Sequence, residues 1–179
     1  MSLLKFLGLG GTAESQDGDI DGVRTIVDAL DTLEPDRARH LAGFAYILSR
    51  VAHVDQHVSP QETEAIERIV AQEGHLPDAQ AKLVVKIAQA QSVLFGGIED
   101  FLVTREVSNR ATHDEKLALL HCLFAVSAAD QSIAVIEDNE IRRISRELRI
   151  EHADYIAVRL AHRQHLGVLN RDEAGEKRS

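Results

Sequence analysis

The chain carries one pattern of residues twice, 75 positions apart. The first window, VAHVDQHVSPQETEAIERI, spans residues 51–69, and the second, VSAADQSIAVIEDNEIRRI, spans residues 126–144. Seven of the nineteen aligned positions are identical, where average residue usage gives about one or two. Each window has an Asp-Gln pair, a Glu seven residues after the Asp, and then Ile-x-x-Ile. Whatever fold the chain adopts must therefore accommodate two copies of one unit.

The residue composition favours helices for both copies. The chain has 3 Pro and 4% aromatic residues, and its Ala-rich, aliphatic remainder lacks the β-branched and aromatic clusters that strands prefer. Helix start signals occur at Ser59-Pro60-Gln61-Glu62 and at Thr112-His113-Asp114-Glu115. We therefore predict an all-α, multihelical bundle of about seven helices, with an internal pseudo-twofold repeat of the helix hairpins 36–73 and 113–148.

The chain length of 179 residues is that of a single domain. We predict a flexible N-terminal segment over residues 1–20, a helical domain over 21–168 whose first helix begins at Asp21 or Gly22, and a polar tail over 169–179. The last helix is expected at about 152–166. No run of apolar residues is long enough to span a membrane, although residues 1–10 are apolar enough for peripheral membrane contact.

Charge and cysteine content limit the possible partners and compartment. The formal net charge of −9 opposes nucleic-acid binding, since a phosphate backbone requires a basic surface. Cations and basic protein surfaces are better partners. The single cysteine, Cys122, forms no intramolecular disulfide and fits a reducing compartment, so we predict a cytoplasmic protein.

The repeated acidic residues are the candidate site. Asp55 and Asp130 are expected at or just after a helix C-terminus, where a negative charge is unfavourable. Glu62 and Glu137 are expected in the first turn of the following helix. A pseudo-twofold arrangement would bring the four carboxylates together, and an oxygen-only cluster suits Ca²⁺ or Mg²⁺ rather than Zn²⁺.

A purely structural role explains the same residues. An Asp after a helix often accepts hydrogen bonds from backbone N–H groups two residues on, and a Glu in the first helical turn is favourable without any ligand. The repeat also lacks the Gly and Glu positions of an EF-hand loop, because its Glu is at the eighth position and not at the twelfth. Spacing alone therefore leaves both interpretations open.

The order of these motifs resembles the tellurite-resistance TerB-like family. The residues that carry the resemblance are VDQHVSPQETEAI and AADQSIAVIEDNEI, each after an apolar helix. It spans roughly residues 36–166 and implies an all-helical, cytoplasmic, bacterial protein, related also to the N-terminal region of a membrane-anchored DnaJ-type co-chaperone. It further implies a role in tellurite and chemical-stress resistance, with metal bound by the acidic positions matched by Asp55, Glu62, Asp130 and Glu137. Gln56 and Gln131 depart from the family's usual Gly.

Two other stretches resemble metal sites. Residues Asp17–Asp28 match the first six positions of a calcium loop and end in Asp, but the eighth position is Arg24 and not an apolar residue. His53 and His57 are four residues apart, the helical spacing of zinc ligands, but the second copy has Ala128 and Ser132 there. We therefore interpret the first stretch as a solvated acidic helix entry and the two histidines as exposed or capping residues, with metal binding as the alternative for each.

We interpret the chain as a TerB-like stress protein that binds a divalent metal through its repeated acidic residues. The alternative is a protein-interaction module that binds a basic partner or a membrane-associated complex without metal. A third hypothesis is a hydrolytic enzyme that uses these carboxylates with a metal, but a catalytic metal needs an open position and a shaped pocket, and the sequence indicates neither. The sequence also has no nucleophile motif, phosphate-binding loop or nucleotide fingerprint, so we predict no enzymatic activity.

Overall fold

The structure is a computed structural model, and it describes residues 17–51, 59–90, 100–129 and 133–166. Eight α-helices make up most of these ranges. Those ranges contain no strand, only one isolated bridge between Ile133 and Leu166. The all-α prediction is confirmed. The helices are α1 Asp17–Asp31, α2 Pro35–Val51, α3 Pro60–Glu73, α4 Asp78–Gln89, α5 Asp100–Arg110, α6 His113–Ser127, α7 Val135–Glu147 and α8 His152–Ala161, followed by a 3-10 turn Arg163–His165.

Helices α2 and α6 supply much of the hydrophobic core. From Leu41 to Leu48 every residue of α2 is buried, and α2 packs against α4, α5 and α7. Helix α6 buries Leu119, Leu120 and Phe124 and packs against α3, α7 and α8. These two helices are the first helix of each copy of the repeat, so each copy places an apolar helix inside the protein.

The two start signals found in the sequence both operate. The Ser59 side chain accepts a hydrogen bond from the Glu62 N–H, and the Glu62 carboxylate accepts one from the Ser59 N–H. Thr112 and Glu115 make the same reciprocal pair at the start of α6. Pro60 occupies the first turn of α3, where its missing N–H costs nothing. Local sequence therefore determines where these two helices begin.

The first helix begins earlier than expected. Helix α1 starts at Asp17 and not at Asp21 or Gly22, so it extends into the segment 1–20 that was predicted to be flexible. The sequence places Asp17 and Asp19 in its first turn, where the helix dipole favours negative charge. The calcium-loop interpretation of residues 17–28 is wrong, because these residues form continuous α-helix and not a loop wrapped around an ion.

The last helix ends earlier than expected. Helix α8 stops at Ala161 and not at about residue 166, and a 3-10 turn follows it. The turn places Leu166 in the core, where it is 1% exposed. The Ile133 N–H donates a hydrogen bond to the His165 carbonyl at 2.6 Å. The chain just after the second copy's Asp130 is therefore attached to the C-terminal turn.

The pseudo-twofold relation between the two hairpins stays a prediction. The segments that join their helices, residues 52–58 and 130–132, lie outside the described residues.

Among the helices that are described, none combines the length and the apolar character that crossing a membrane requires.

Gly43 allows the close crossing of α2 and α5, and this gives a test of the packing. A Cβ atom on Gly43 would overlap the Cγ2 methyl of Val107, and a valine in a helix has few other rotamers. Overpacking costs about 1–3 kcal/mol, whereas Gly to Ala inside a helix gains about 1 kcal/mol. Gly43→Ala should therefore lower the free energy of unfolding in urea, by up to about 2 kcal/mol.

The same substitution in a Val107→Ala background should have the opposite sign. With the methyl groups of Val107 removed, Gly43→Ala should raise the free energy of unfolding by up to about 1 kcal/mol, which is its gain in helix propensity. A change of the same sign and size in both backgrounds would contradict the packing described for α2 and α5.

Candidate functional site

The structure describes two of the four predicted site residues. Glu62 lies in the first turn of α3, and Glu137 lies in the first turn of α7. Asp55 and Asp130 lie outside the described residues. That all four carboxylates form one site therefore stays a prediction. The structure gives the hydrogen bonds and the surroundings of the two glutamates.

Glu62 and Glu137 make the same hydrogen bond. Oε2 of Glu62 accepts from the Ser59 N–H at 2.8 Å, and Oε2 of Glu137 accepts from the Ala134 N–H at 2.7 Å. The hydrogen bonds from Ser59 lower the pKa of Glu62 below its ordinary value, so this carboxyl is ionised at neutral pH. In both copies the repeated Glu therefore caps the helix that follows the acidic loop.

The cap uses only one oxygen of each carboxylate. Within the described residues, no hydrogen-bond partner contacts Oε1 of Glu62 or of Glu137. Glu62 is exposed and Glu137 is half-buried. Capping therefore explains why the Glu is repeated, and it leaves one oxygen of each Glu able to bind another group.

A buried arginine connects the two copies of the repeat. The Arg50 side chain, in the last turn of α2, is 5% exposed and contacts Glu140 and Glu147 of α7 at 2.7 Å each. It also donates to the Thr104 hydroxyl of α5 at 2.7 Å. Burial acts to lower the pKa of Arg50, but its hydrogen bonds to Glu147 and Glu140 raise that pKa above its ordinary value. Arg50 is therefore a permanent positive charge at the junction of three helices.

This junction places the end of α2 near the helix that carries the second copy's glutamate. Glu137 and Glu140 are three residues apart on α7 and therefore neighbour each other on one helix face. Since Arg50 binds Glu140, α2 ends beside that face. The segment that contains Asp55 starts two residues after Arg50. The fold thus brings the end of α2, the last described part of the first copy before its acidic loop, close to α7 of the second copy.

The described residues alone do not supply a complete metal site. In the four described ranges, no group of three or more His, Cys, Asp or Glu side chains could hold a metal ion. The zinc-like pair His53 and His57 lies outside those ranges. A cation that used Glu62 and Glu137 would therefore need further oxygen ligands, such as Asp55, Asp130, backbone carbonyls or water.

Sequence reasoning missed a pair of histidines. Nδ1 of His121 on α6 lies 3.4 Å from Nε2 of His162 at the end of α8, and His162 stacks on Phe124. Burial, together with the neighbouring His121, lowers the pKa of His162. The adjacent Cys122 is fully buried, and burial raises the pKa of its thiol above the usual range. This arrangement fixes the end of α8 on α6 and gives no reactive thiol.

Removing Arg50 should destabilise the protein far more than removing a nearby exposed arginine. Arg50→Met leaves Glu140 and Glu147 partly buried without Arg50 as their partner, which should cost about 3 kcal/mol, the lower end for breaking a buried pair. Arg143 contacts the same two glutamates but is 56% exposed, so Arg143→Met should cost less than about 1 kcal/mol. Urea denaturation measures both, and equal losses would contradict the role given to Arg50.

Comparison with known proteins identifies the family. The family model described as "Tellurite resistance protein TerB" matches residues 40–160, which is more than half of the chain. No curated protein and no solved structure gives a significant match. The matched range begins in α2, ends in α8 and includes both copies of the repeat with all four acidic positions. The chain therefore belongs to the TerB family of tellurite-resistance proteins.

Proposed function

We propose that this TerB-family protein binds one divalent cation through Asp55, Glu62, Asp130 and Glu137, and that it acts in the response to tellurite or related chemical stress. The observation that carries the proposal is the shared geometry of the two glutamates. Each caps its helix through Oε2, and within the described residues each has an Oε1 without a hydrogen-bond partner. Two carboxylates held in this way at equivalent positions are fixed in place before any ligand binds.

A shared site, and not two separate ones, is supported by the Arg50 junction. Arg50 joins the end of α2 to the face of α7 on which Glu137 lies. Its charge, together with that of Arg143, offsets the charges of Glu140 and Glu147. Glu140 and Glu147 therefore have neighbouring cations, whereas within the described residues no ion pair involves Glu62 or Glu137.

The donor atoms favour a hard cation. All four side chains offer carboxylate oxygen only, which suits Ca²⁺ or Mg²⁺, whereas structural Zn²⁺ sites use mainly Cys sulfur and His nitrogen. We infer a binding role and not catalysis, because neutralising four carboxylates with a cation requires no nucleophile or general base. A cytoplasmic location remains part of the proposal and rests on the lone, buried Cys122.

Thermal melting with and without cation tests the proposal. If Ca²⁺ or Mg²⁺ binds only the folded chain, a concentration 100 times the Kd should add about 2.7 kcal/mol of stability. A chain of this size gains roughly 2–4 °C in Tm per kcal/mol, so Tm should rise by about 5–11 °C. Asp55→Asn or Asp130→Asn should remove most of that rise.

Glu115 provides a matched control for the capping role. It makes the same capping box at α6 but belongs to neither acidic loop. Glu115→Gln, Glu62→Gln and Glu137→Gln should lower the metal-free Tm to a similar extent, since each weakens one cap. Only the last two should also reduce the rise with cation. If Asp130→Asn lowers Tm equally with and without cation, Asp130 is a loop cap and the metal proposal fails.

A second candidate function is a contact with another protein. Val135 and Ile136 in the first turn of α7 are 44% and 75% exposed, directly after the second acidic loop. Exposed apolar side chains beside acidic ones suit a partner that has both an apolar contact and basic residues. Such a partner, including a membrane-associated complex, would bind without any metal. Ile136→Ser should then weaken its binding while leaving any response to cation unchanged.

A further inference from the structure

Three arginines surround one cavity on a chain with a net charge of −9. The cavity, about 350 Å³, opens where the start of α2 meets the end of α5 and the start of α6. Its lining includes Asp36, Arg37, Arg39, Val107, Arg110 and Ala111. This volume is within the range of small-molecule sites. A local concentration of guanidinium groups at a cavity favours an anionic ligand.

The protein's own Asp36 indicates how an anion would bind. Oδ1 of Asp36 lies 2.7 Å from Nη1 of Arg39 and 3.3 Å from Nη1 of Arg110, so one carboxylate oxygen bridges two guanidinium groups. The Asp36 side chain is 84% exposed, and exposed ion pairs contribute little to stability. A carboxylate from another molecule can therefore take the place of this side chain at small cost.

The other acidic groups at the cavity are already paired. Glu106 forms an ion pair with Nε of Arg110. Glu115 accepts hydrogen bonds from the Thr112 N–H and hydroxyl and lies 3.8 Å from Nδ1 of His40. The ion pair offsets the charge of Glu106. Glu115 is held by its hydrogen bonds and keeps its charge, because burial lowers the pKa of His40 below its ordinary value. Three arginines against Glu106 and Glu115 still leave an excess of positive charge when Asp36 is displaced. Displacing Asp36 thus leaves Arg39 and Arg110 facing the cavity with a positive charge to be neutralised.

Part of the cavity wall is apolar. Val107 lies in the last turn of α5 and is 5% exposed, and Ala111 directly follows the end of that helix. We propose that the cavity binds a small organic carboxylate. Its carboxylate replaces that of Asp36 between Arg39 and Arg110, and its hydrocarbon part lies against Val107 and Ala111.

A second depression in the structure provides an internal comparison. It is larger, about 630 Å³, and it is lined by Glu64, Glu67, Arg68, Asp78 and Lys82 among others. Its acidic side chains outnumber its basic ones, and an anion is therefore unfavourable there. Arg68 and Asp78 are consequently charge-matched control positions for Arg110 and Asp36.

Calorimetric titration of the full chain at low salt with butyrate, acetate and inorganic phosphate tests this assignment. Butyrate should bind saturably and about tenfold more tightly than acetate, because it buries two more methylene groups. Phosphate should bind more weakly than butyrate. Arg39→Gln and Arg110→Gln should each weaken butyrate binding at least about tenfold, the effect of losing a charge-assisted hydrogen bond.

The decisive variant is Asp36→Asn, which removes the competing carboxylate and should tighten butyrate binding at least about threefold. Asp78→Asn and Arg68→Gln should leave the affinity within about twofold of the parent value. The helical circular-dichroism signal should be unchanged in all of them. Absence of saturable butyrate binding to both the parent chain and Asp36→Asn overturns the proposal. So does phosphate binding as tightly as butyrate, or a loss of affinity in Arg68→Gln equal to that in Arg110→Gln.

Discussion

The buried charge of Arg50 is the interaction on which the relative placement of the two repeat copies depends. A guanidinium that is 5% exposed is tolerated because partners such as Glu140, Glu147 and Thr104 surround it. These partners lie on α7 and α5, while Arg50 lies at the end of α2. Three helices thus meet at the end of α2. This contact therefore fixes the end of α2, from the first copy of the repeat, against α7 of the second copy.

The repeated glutamates show how one residue can serve two purposes. Helix capping accounts for their position, since Glu62 and Glu137 both accept a hydrogen bond from the N–H three residues earlier. Capping does not account for the aspartates that precede them at a constant spacing of seven residues. The TerB family match covers all four positions. A cation that binds the glutamates through Oε1 and the aspartates directly would give each of the four acidic residues a reason to be present.

Local signals in the sequence predicted the fold well, and distant contacts could not be predicted from it. Ser59 with Glu62, and Thr112 with Glu115, are three residues apart, so the helix starts that they define can be read directly. Arg50 and Glu147 are 97 residues apart, and no spacing rule links them. One sign of this contact is visible in the sequence, which is that Arg50 interrupts the apolar residues near the end of α2. The overlap at Gly43 likewise depends on Val107 of another helix. The start of α1 at Asp17 lies in a segment that was predicted to be flexible.

The central claim is that the two copies together build one cation site, and the number of ions bound per chain tests it most directly. Calorimetric titration of metal-free protein with Ca²⁺ or Mg²⁺ should give one ion per chain, and either Asp55→Asn or Asp130→Asn alone should abolish that binding. Two ions per chain, each lost in only one of the two variants, would show separate sites and contradict the shared one. Absence of binding heat for both ions, with no change in Tm, would contradict a cation site of any kind.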